Sequence, residues 1–114
     1  MIDLKENIIF KALSESIRLR IVVLLTKGEL CVCDLTEVLN LPQSTISRHM
    51  SRLKTAGIIE NRREGRWIHY QLNDSDNKLI NSLKQILFSL QNQRPYKDDI
   101  AKLTALSKNI RCSP

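Results

Sequence analysis

The spacing of apolar residues changes twice between residues 32 and 72, and no other feature restricts the fold as much. In two successive segments, 32–39 and 42–56, apolar residues recur every three or four positions, the period of a helix with one buried face. After Gly57, which suits a left-handed helix end, apolar and polar residues alternate as in strands, and Gly65 falls in a turn. The sequence therefore predicts two helices followed by a hairpin.

Helical spacing also occurs on both sides of this unit. It predicts helices at about 3–13, from a cap within residues 14–16 to Leu25, at about 76–93, and over a short last segment. The predicted fold class is mainly α with a small β-hairpin wing, a winged helix-turn-helix with its recognition helix at about 42–56 and its wing at about 58–72. A length of 114 residues favours a single domain spanning 1–114.

The terminal helices at about 3–13 and 76–93 exceed what a winged domain needs. Their apolar faces require a further surface, and the same helices of a second subunit would provide it with twofold symmetry. We therefore expect N- and C-terminal dimerisation helices in a homodimer, with two recognition helices about 34 Å apart on an inverted-repeat operator in double-stranded DNA. In the alternative, these helices fold back on the core of their own chain.

Positive charge is concentrated in one part of the chain. The protein has 18 Lys and Arg against 12 Asp and Glu, a formal net charge of +6, and six Lys and Arg against two Glu lie within residues 43–66. This segment would attract a polyanion such as DNA, although the same charges could simply form a solvated basic face.

The outward face of the predicted recognition helix has the side chains that a major-groove reader needs. Hydroxyls and Gln allow close approach, Arg reaches base edges or phosphates, and Arg residues at a hairpin tip enter or flank the minor groove. His49 adjoins buried positions, so we expect a boundary or core histidine rather than a base contact. The predicted DNA contacts are Gln43, Ser44, Thr45, Ser47, Arg48 and Arg52 on the helix, and Arg62, Arg63 and Arg66 on the wing.

Two of the three cysteines, Cys31 and Cys33, lie where the first helix of this unit begins. Free backbone N–H groups and the helix dipole lower the pKa of a thiol there, which favours binding of a thiophilic ion. The loop between them is too short for a useful structural disulfide, and no His or carboxylate neighbour completes a structural zinc site. We expect reduced thiols; in the alternative, both are ordinary small buried residues.

Several other classes of protein are disfavoured. No apolar run approaches the roughly 20 residues of a membrane helix, and the acidic start at Asp3 and Glu6 is unlike a secretory signal peptide, so we expect a cytoplasmic protein without a membrane partner. All three glycines serve element ends, which leaves none for a phosphate-binding loop. No Cys-x-x-Cys motif supports a thiol enzyme, and we expect neither an enzyme nor a required cofactor.

Three segments, 29–35 (Glu-Leu-Cys-Val-Cys-Asp-Leu), 43–50 and 62–70, resemble the ArsR/SmtB family of winged-helix repressors, and the likeness covers nearly the whole chain. The Cys-Val-Cys motif is similar to the site that binds trivalent arsenic or antimony in the arsenical-responsive branch. The resemblance implies a DNA-binding repressor of an arsenic resistance operon, which is released when arsenite, antimonite or methylarsenite binds Cys31 and Cys33.

The resemblance is incomplete at the third arsenic ligand. Arsenical motifs often have a third cysteine three residues after the second, and Thr36 stands at that place. The third ligand could be Cys112, an external thiol or none, and a two-cysteine site suits a methyl or aryl arsenical with two exchangeable positions. The zinc, nickel and cobalt branches use His and Asp after the wing, where residues 74–93 contain no His.

Two rival DNA-binding functions are also compatible with the sequence. A redox repressor would form a disulfide between Cys112 and either Cys31 or Cys33 and would leave DNA on oxidation. A constitutive architectural protein would bind DNA whatever the state of its thiols.

Overall fold

The computed structural model describes residues 5–74 and 78–106. Within those residues, a short 3₁₀ turn (Leu90–Asn92) separates the last two helices, and the other elements follow one another in a simple order. They are α1 (Lys5–Leu13), α2 (Ser16–Leu25), β1 (Leu30–Cys31), α3 (Val32–Leu39), α4 (Gln43–Thr55), β2 (Ile59–Glu64), β3 (Trp67–Leu72), α5 (Lys78–Ser89) and α6 (Tyr96–Leu106). The predicted fold class, a mainly helical protein with a hairpin wing, is confirmed.

The helices α3 and α4 form the helix-turn-helix unit, α3 at its predicted bounds and α4 one residue shorter than predicted at each end. Asn40 ends α3 in the left-handed region with φ of 55°, where its short polar side chain costs little. Pro42, expected in the first turn of α4, is its N-cap residue, and Ala56 is its C-cap. The buried face of α4 consists of Ile46, Met50 and Leu53, as the spacing predicts, so the opposite face is left for solvent.

The wing is a hairpin with a third, unpredicted strand beside it. Strands β2 and β3 pair antiparallel from Ile59 opposite Leu72 to the turn at Gly65, whose φ is 60°. The two-residue strand β1 pairs with the other edge of β3, giving the order β1-β3-β2 and setting Cys31 opposite His69. This short strand attaches the cysteine segment directly to the wing.

The core is centred on α2, in which Ile21, Val22, Val23 and Leu24 are fully buried. Helix α6 packs against α2 and α3, and its Asp99 is 2% exposed. The Asp99 carboxylate accepts two hydrogen bonds from the Arg20 guanidinium, at 2.9 Å and 2.8 Å, and these bonds raise the pKa of Arg20. The last helix therefore folds back on the core of its own chain.

Helices α1 and α5 leave large apolar side chains in solvent. Ile8 and Phe10 on α1 are 37% and 53% exposed, and Ile86 and Phe88 on α5 are 56% and 52% exposed. Solvent-exposed apolar groups of this size on two helices are the kind of surface that a protein partner covers. Across the described residues, no helix combines the length and the apolar character needed to cross a membrane.

Candidate functional site

The cysteine pair lies at the junction between the sheet and the helix-turn-helix unit. Cys31 is the last residue of β1 and the N-cap of α3, and it is 2% exposed, whereas Cys33 is half-buried in the first turn of α3. The two Sγ atoms and a carboxylate oxygen of Asp34 all lie within 4.8 Å of one another. The structure thus brings together the two residues that the sequence selects.

Asp34 is a member of this cluster that the sequence analysis missed. Its carboxylate accepts a hydrogen bond from the Cys31 N–H at 3.2 Å and lies 3.4 Å from Cys31 Sγ. The cysteines therefore do have a carboxylate neighbour, contrary to the expectation that no such partner lies near them. The available signal was position, because an acidic residue three places after an N-cap commonly bonds back to the N-cap backbone. Three donors remain fewer than the four that structural zinc requires.

Both cysteines are disulfide-bonded in the structure, and among the described residues no cysteine is a free thiol. The expectation of reduced thiols is therefore contradicted. The backbone at the junction of β1 and α3 holds the two sulfur atoms close together. A disulfide sulfur carries no hydrogen, so the contact from Cys31 to Asp34 becomes a hydrogen bond only after reduction. The site can therefore bind a thiophilic ligand only in its reduced form.

A groove of about 350 Å³ opens beside Cys33. The start of α3, the start of α4 and the tip of the wing each contribute walls to it. Thr36, which stands where arsenical motifs often have a third cysteine, lines the groove. Its hydroxyl donates a hydrogen bond to the Cys33 carbonyl at 2.8 Å. The lining residues are Val32, Cys33, Thr36, Gln43, Arg66, Trp67 and Ile68.

The predicted DNA contacts on α4 form one surface. Thr45 is half-buried, and the other five predicted contacts on α4 are exposed to solvent. The exposed residues are Gln43, Ser44, Ser47, Arg48 and Arg52. Arg48 and Arg52 lie four residues apart and so share one side of the helix. The side chains needed to approach a groove and to reach phosphates are therefore available on one helical face.

His49 is a boundary residue, as its position beside the core predicts. Its side chain is 19% exposed, and its Nδ1 atom lies 3.4 Å from Arg18 Nη1 and 3.8 Å from a carboxylate oxygen of Glu15. Burial is the largest of the effects that together lower the pKa of His49, and the positive charge of Arg18 adds to it. The neutral imidazole is therefore the form that the fold favours.

The three wing arginines have different surroundings. Arg62 donates to both carboxylate oxygens of Glu29, at 2.8 Å and 2.6 Å, and to Glu64 at 2.7 Å, and these bonds lower the pKa of both glutamates. Arg63 and Arg66 are exposed and form no ion pair with any residue in the described ranges. Arg62 consequently fastens β2 to the residue before β1, while Arg63 and Arg66 remain available to a ligand outside the protein.

His69 and Trp67 lie on β3, the strand that pairs with β2 along one edge and with β1 along the other. His69 is within 4.0 Å of a carboxylate oxygen of Glu29 and of one of Glu64. The Nε1 atom of Trp67 is buried and has no hydrogen-bond partner among the described residues. Glu29, the residue before β1, is thus bonded to Arg62 and close to His69, which connects the wing with the segment that carries Cys31. Cys112, the suggested third sulfur, lies outside the described residues.

A winged helix-turn-helix with an exposed basic recognition face belongs to the class of DNA-binding transcription regulators. Residues 15–61 match the model of a family described as bacterial regulatory protein, arsR family. A relative, the arsenic resistance transcriptional regulator ArsR2 of Pseudomonas putida, is 37% identical over 86 residues, which cover 75% of each chain. The protein belongs to the arsR family.

A second relative is the arsenical resistance operon repressor of Escherichia coli, 48% identical over 65 residues, which cover 56% of each chain. The match with this relative thus spans little more than half of either protein. Since both relatives are transcription regulators, the interpretation of this chain as a thiol enzyme is excluded.

Solved structures show the same fold. The regulator HlyU from Vibrio cholerae superimposes with a TM-score of 0.69 at 29% identity, covering 78% of this chain and 94% of its own. A homodimeric winged helix-turn-helix domain from Mycobacterium bovis gives a TM-score of 0.64 at 25% identity, covering 80% and 82%. The architecture is therefore shared by regulators that differ considerably from this chain in sequence.

Proposed function

We propose that this protein represses an arsenic resistance operon in the cytoplasm and leaves its operator when trivalent arsenic or antimony binds Cys31 and Cys33. The observation that carries the proposal is the position of the two sulfur atoms, which lie close together between the wing and the helix-turn-helix unit. Relatives whose names refer to arsenic resistance support the choice of ligand.

The ligand chemistry is exchange at arsenic without a change in oxidation state. Each thiol replaces one hydroxyl of arsenous acid or methylarsonous acid, so two arsenic–sulfur bonds form and two waters leave. The disulfide must first be reduced, which takes two electrons and two protons from a cellular thiol or dithiol. Sulfur is the donor that a thiophilic ion prefers, and the Cys31 and Cys33 side chains supply two such atoms in one place.

Coupling to DNA would follow from the two elements that Cys31 joins. As part of β1 it pairs with β3 of the wing, and as the N-cap of α3 it begins the helix that packs on α4. An arsenic atom held by Cys31 and Cys33 would therefore shift the wing relative to the recognition helix. A coupling free energy of about 1–3 kcal/mol, typical of allostery, would produce partial release.

The DNA interface we propose consists of the exposed face of α4 together with Arg63 and Arg66 on the wing. Thr45, half-buried in the first turn, would contact phosphate through its hydroxyl and backbone. We assign Arg62 a positioning role, because its guanidinium already bonds Glu29 and Glu64. A homodimer on an inverted repeat would place two such interfaces in successive major grooves.

The direct experiment is fluorescence anisotropy of labelled operator DNA with reduced protein and increasing methylarsenite. The parent protein should release the DNA, and the variants Cys31→Ser and Cys33→Ser should need at least about tenfold more ligand. Cys112→Ser is the matched control, since it also removes a thiol and should respond like the parent to this two-site ligand. Equal release from all four proteins would disprove the proposal.

A redox repressor is a second candidate, favoured by the disulfide-bonded state of Cys31 and Cys33. In that case peroxide would oxidise the two thiols, releasing two waters per peroxide, and operator release would need no arsenic. The same anisotropy assay with peroxide in place of methylarsenite separates the two candidates.

A further inference from the structure

We propose that the groove beside Cys33 binds the organic group of a trivalent arsenical, and that the protein responds best to arsenicals with an aryl substituent such as phenyl. This inference rests on the proposed function, since it requires that Cys31 and Cys33 hold the arsenic. It adds a site for the carbon substituent and thereby names the class of inducer.

The groove begins at the thiol that would anchor the arsenic. Cys33 is itself one of the lining residues, so an atom bonded to its sulfur lies at the edge of the groove. The volume of about 350 Å³ falls within the roughly 300–1,000 Å³ that is typical of small-molecule sites. A substituent on the arsenic would therefore enter a preformed space instead of solvent.

Because position 36 is a threonine, the third group bonded to the arsenic would be a carbon substituent of the ligand instead of a third protein sulfur. Thr36 lies one helical turn after Cys33, and its hydroxyl is engaged by the Cys33 carbonyl at 2.8 Å. Val32 and Thr36 line the groove beside Cys33, and neither residue carries a sulfur. Two protein sulfurs and one carbon substituent complete the three bonds of trivalent arsenic.

The part of the groove that β3 contributes is suited to a ring. Trp67 and Ile68 line it, and Trp67 is half-buried with an indole N–H that has no partner in the described part of the chain. An aryl group can stack on or meet the edge of an indole, and it loses more water-exposed apolar area on entering than a methyl group does. The groove therefore favours phenyl over methyl.

The same groove reaches the proposed DNA interface. Gln43 at the start of α4 and Arg66 on the wing are both lining residues, and both are candidate DNA contacts. A ring in the groove would displace these two side chains from the orientations in which they contact DNA. Release by an aryl arsenical would thus combine a shift of α3 with direct displacement of DNA contacts.

The test compares phenylarsine oxide, which hydrates to phenylarsonous acid in water, with methylarsenite on the reduced full-length protein. Both ligands exchange two hydroxyls for the two thiols, release two waters and leave arsenic trivalent, so they differ only in the substituent. A phosphine first reduces the disulfide, taking oxygen from water as it becomes a phosphine oxide. Operator release is measured by anisotropy, and each variant is compared at its own measured operator affinity.

We expect phenylarsine oxide to release the operator at about a tenfold lower concentration than methylarsenite. Thr36→Leu fills the groove and should abolish this preference by weakening the phenyl response alone, whereas Thr104→Leu, the same substitution on an exposed face of α6, should retain it. Trp67→Leu, a second variant, should also lose the preference. Because Trp67 is the only tryptophan, its fluorescence in the parent should change more with phenylarsine oxide than with methylarsenite.

The outcomes separate this inference from the function on which it rests. If both arsenicals release the DNA through Cys31 and Cys33 but Thr36→Leu and Trp67→Leu keep the parental ratio, the groove assignment is wrong and the sensor survives. If neither arsenical acts through these cysteines, the sensor function itself fails. A parent protein that responds equally to phenyl and methyl would also overturn the groove assignment.

Discussion

At the scale of single residues, the proposed arsenic site makes Thr36 the position that limits how many protein sulfurs can bond to one arsenic atom. A cysteine at this position would lie one turn after Cys33 and would supply a third thiol. We predict that Thr36→Cys raises the affinity for arsenite by about tenfold or more, because arsenite has a third hydroxyl to exchange. Binding of methylarsenite, which has only two, should not improve. Isothermal titration of the reduced proteins measures both affinities.

The matched control for this substitution is Thr104→Cys, which adds a thiol on α6 without placing it beside Cys33. Its arsenite affinity should equal that of the parent. A gain of the same size in both variants would show that any extra thiol raises the affinity, whatever its position relative to Cys33.

A second residue prediction concerns His49 and pH. Because the pKa of His49 is lower in the folded protein than the ordinary value of 6.5, the unfolded chain binds the proton more readily. Stability attributable to His49 is therefore complete above that pH and declines as pH falls through it. We expect thermal unfolding between pH 7.5 and 5.5 to show this loss, and we expect His49→Gln to have a flatter profile.

The pH range for this measurement lies above the ordinary carboxyl value of 4.5, so that Glu29 and Glu64, whose pKa values are lower still, remain ionised throughout. The parent and the variant then differ in only one titrating group. Identical profiles for the two proteins would remove His49 as the source of the pH dependence.

Single residues also show what sequence patterns can and cannot predict. The cysteine pair was identifiable because its spacing and its place before a helix are both local features. The roles of Arg62 and Asp99 were not, because each depends on a partner far along the chain, Glu29 and Arg20 respectively. Charge counts cannot reveal which charged groups the fold brings together.

At the scale of elements, the wing has one arginine, Arg62, that is paired within the protein, and two, Arg63 and Arg66, that are available to an outside ligand. If Arg62 is a positioning residue, Arg62→Ala and Glu29→Gln should weaken operator binding to a similar extent, since each breaks the same pair. The salt dependence of binding should change little in either variant. Arg63→Ala should instead lower the slope of log affinity against log salt by about one.

A difference in salt dependence between these two variants would contradict a positioning role for Arg62. A fall in the salt slope for Arg62→Ala that is absent in Glu29→Gln would show that Arg62 contacts phosphate directly. The ion pair between Arg62 of β2 and Glu29, the residue before β1, would then exist only in the DNA-free protein.

Elements with a clear hydrophobic period were predicted well. Helix α3 has the predicted bounds, and α4 differs from its predicted range by one residue at each end. Strand β1 was missed because two residues, Leu30 and Cys31, are too few to show an alternating pattern. The disulfide state of the cysteines was missed for a related reason, since it depends on how this short strand meets α3.

At the scale of the whole molecule, the exposed apolar side chains of α1 and α5 predict a homodimer. Phe10 and Ile86 are each more than half exposed, so a charged substitution there costs little in a monomer but much in a buried interface. We expect Phe10→Lys and Ile86→Lys to shift the protein towards monomer and to weaken binding to an inverted-repeat operator. Sedimentation velocity measures the first effect and anisotropy the second.

Gln85→Lys is the control, because it introduces the same charge at an exposed polar neighbour of Ile86. This variant should keep the mass of the parent. If all three variants sediment like the parent, these faces of α1 and α5 are not the dimer interface.

X-ray absorption at arsenic counts the sulfur atoms bonded to the metalloid and therefore shows whether Cys31 and Cys33 bind the inducer as proposed. For the reduced protein with methylarsenite, we predict two arsenic–sulfur bonds in the parent and in Cys112→Ser. In the double variant Cys31→Ser/Cys33→Ser, we predict that arsenic is not retained through sulfur. Two arsenic–sulfur bonds persisting in that double variant would show that Cys31 and Cys33 are not the inducer site.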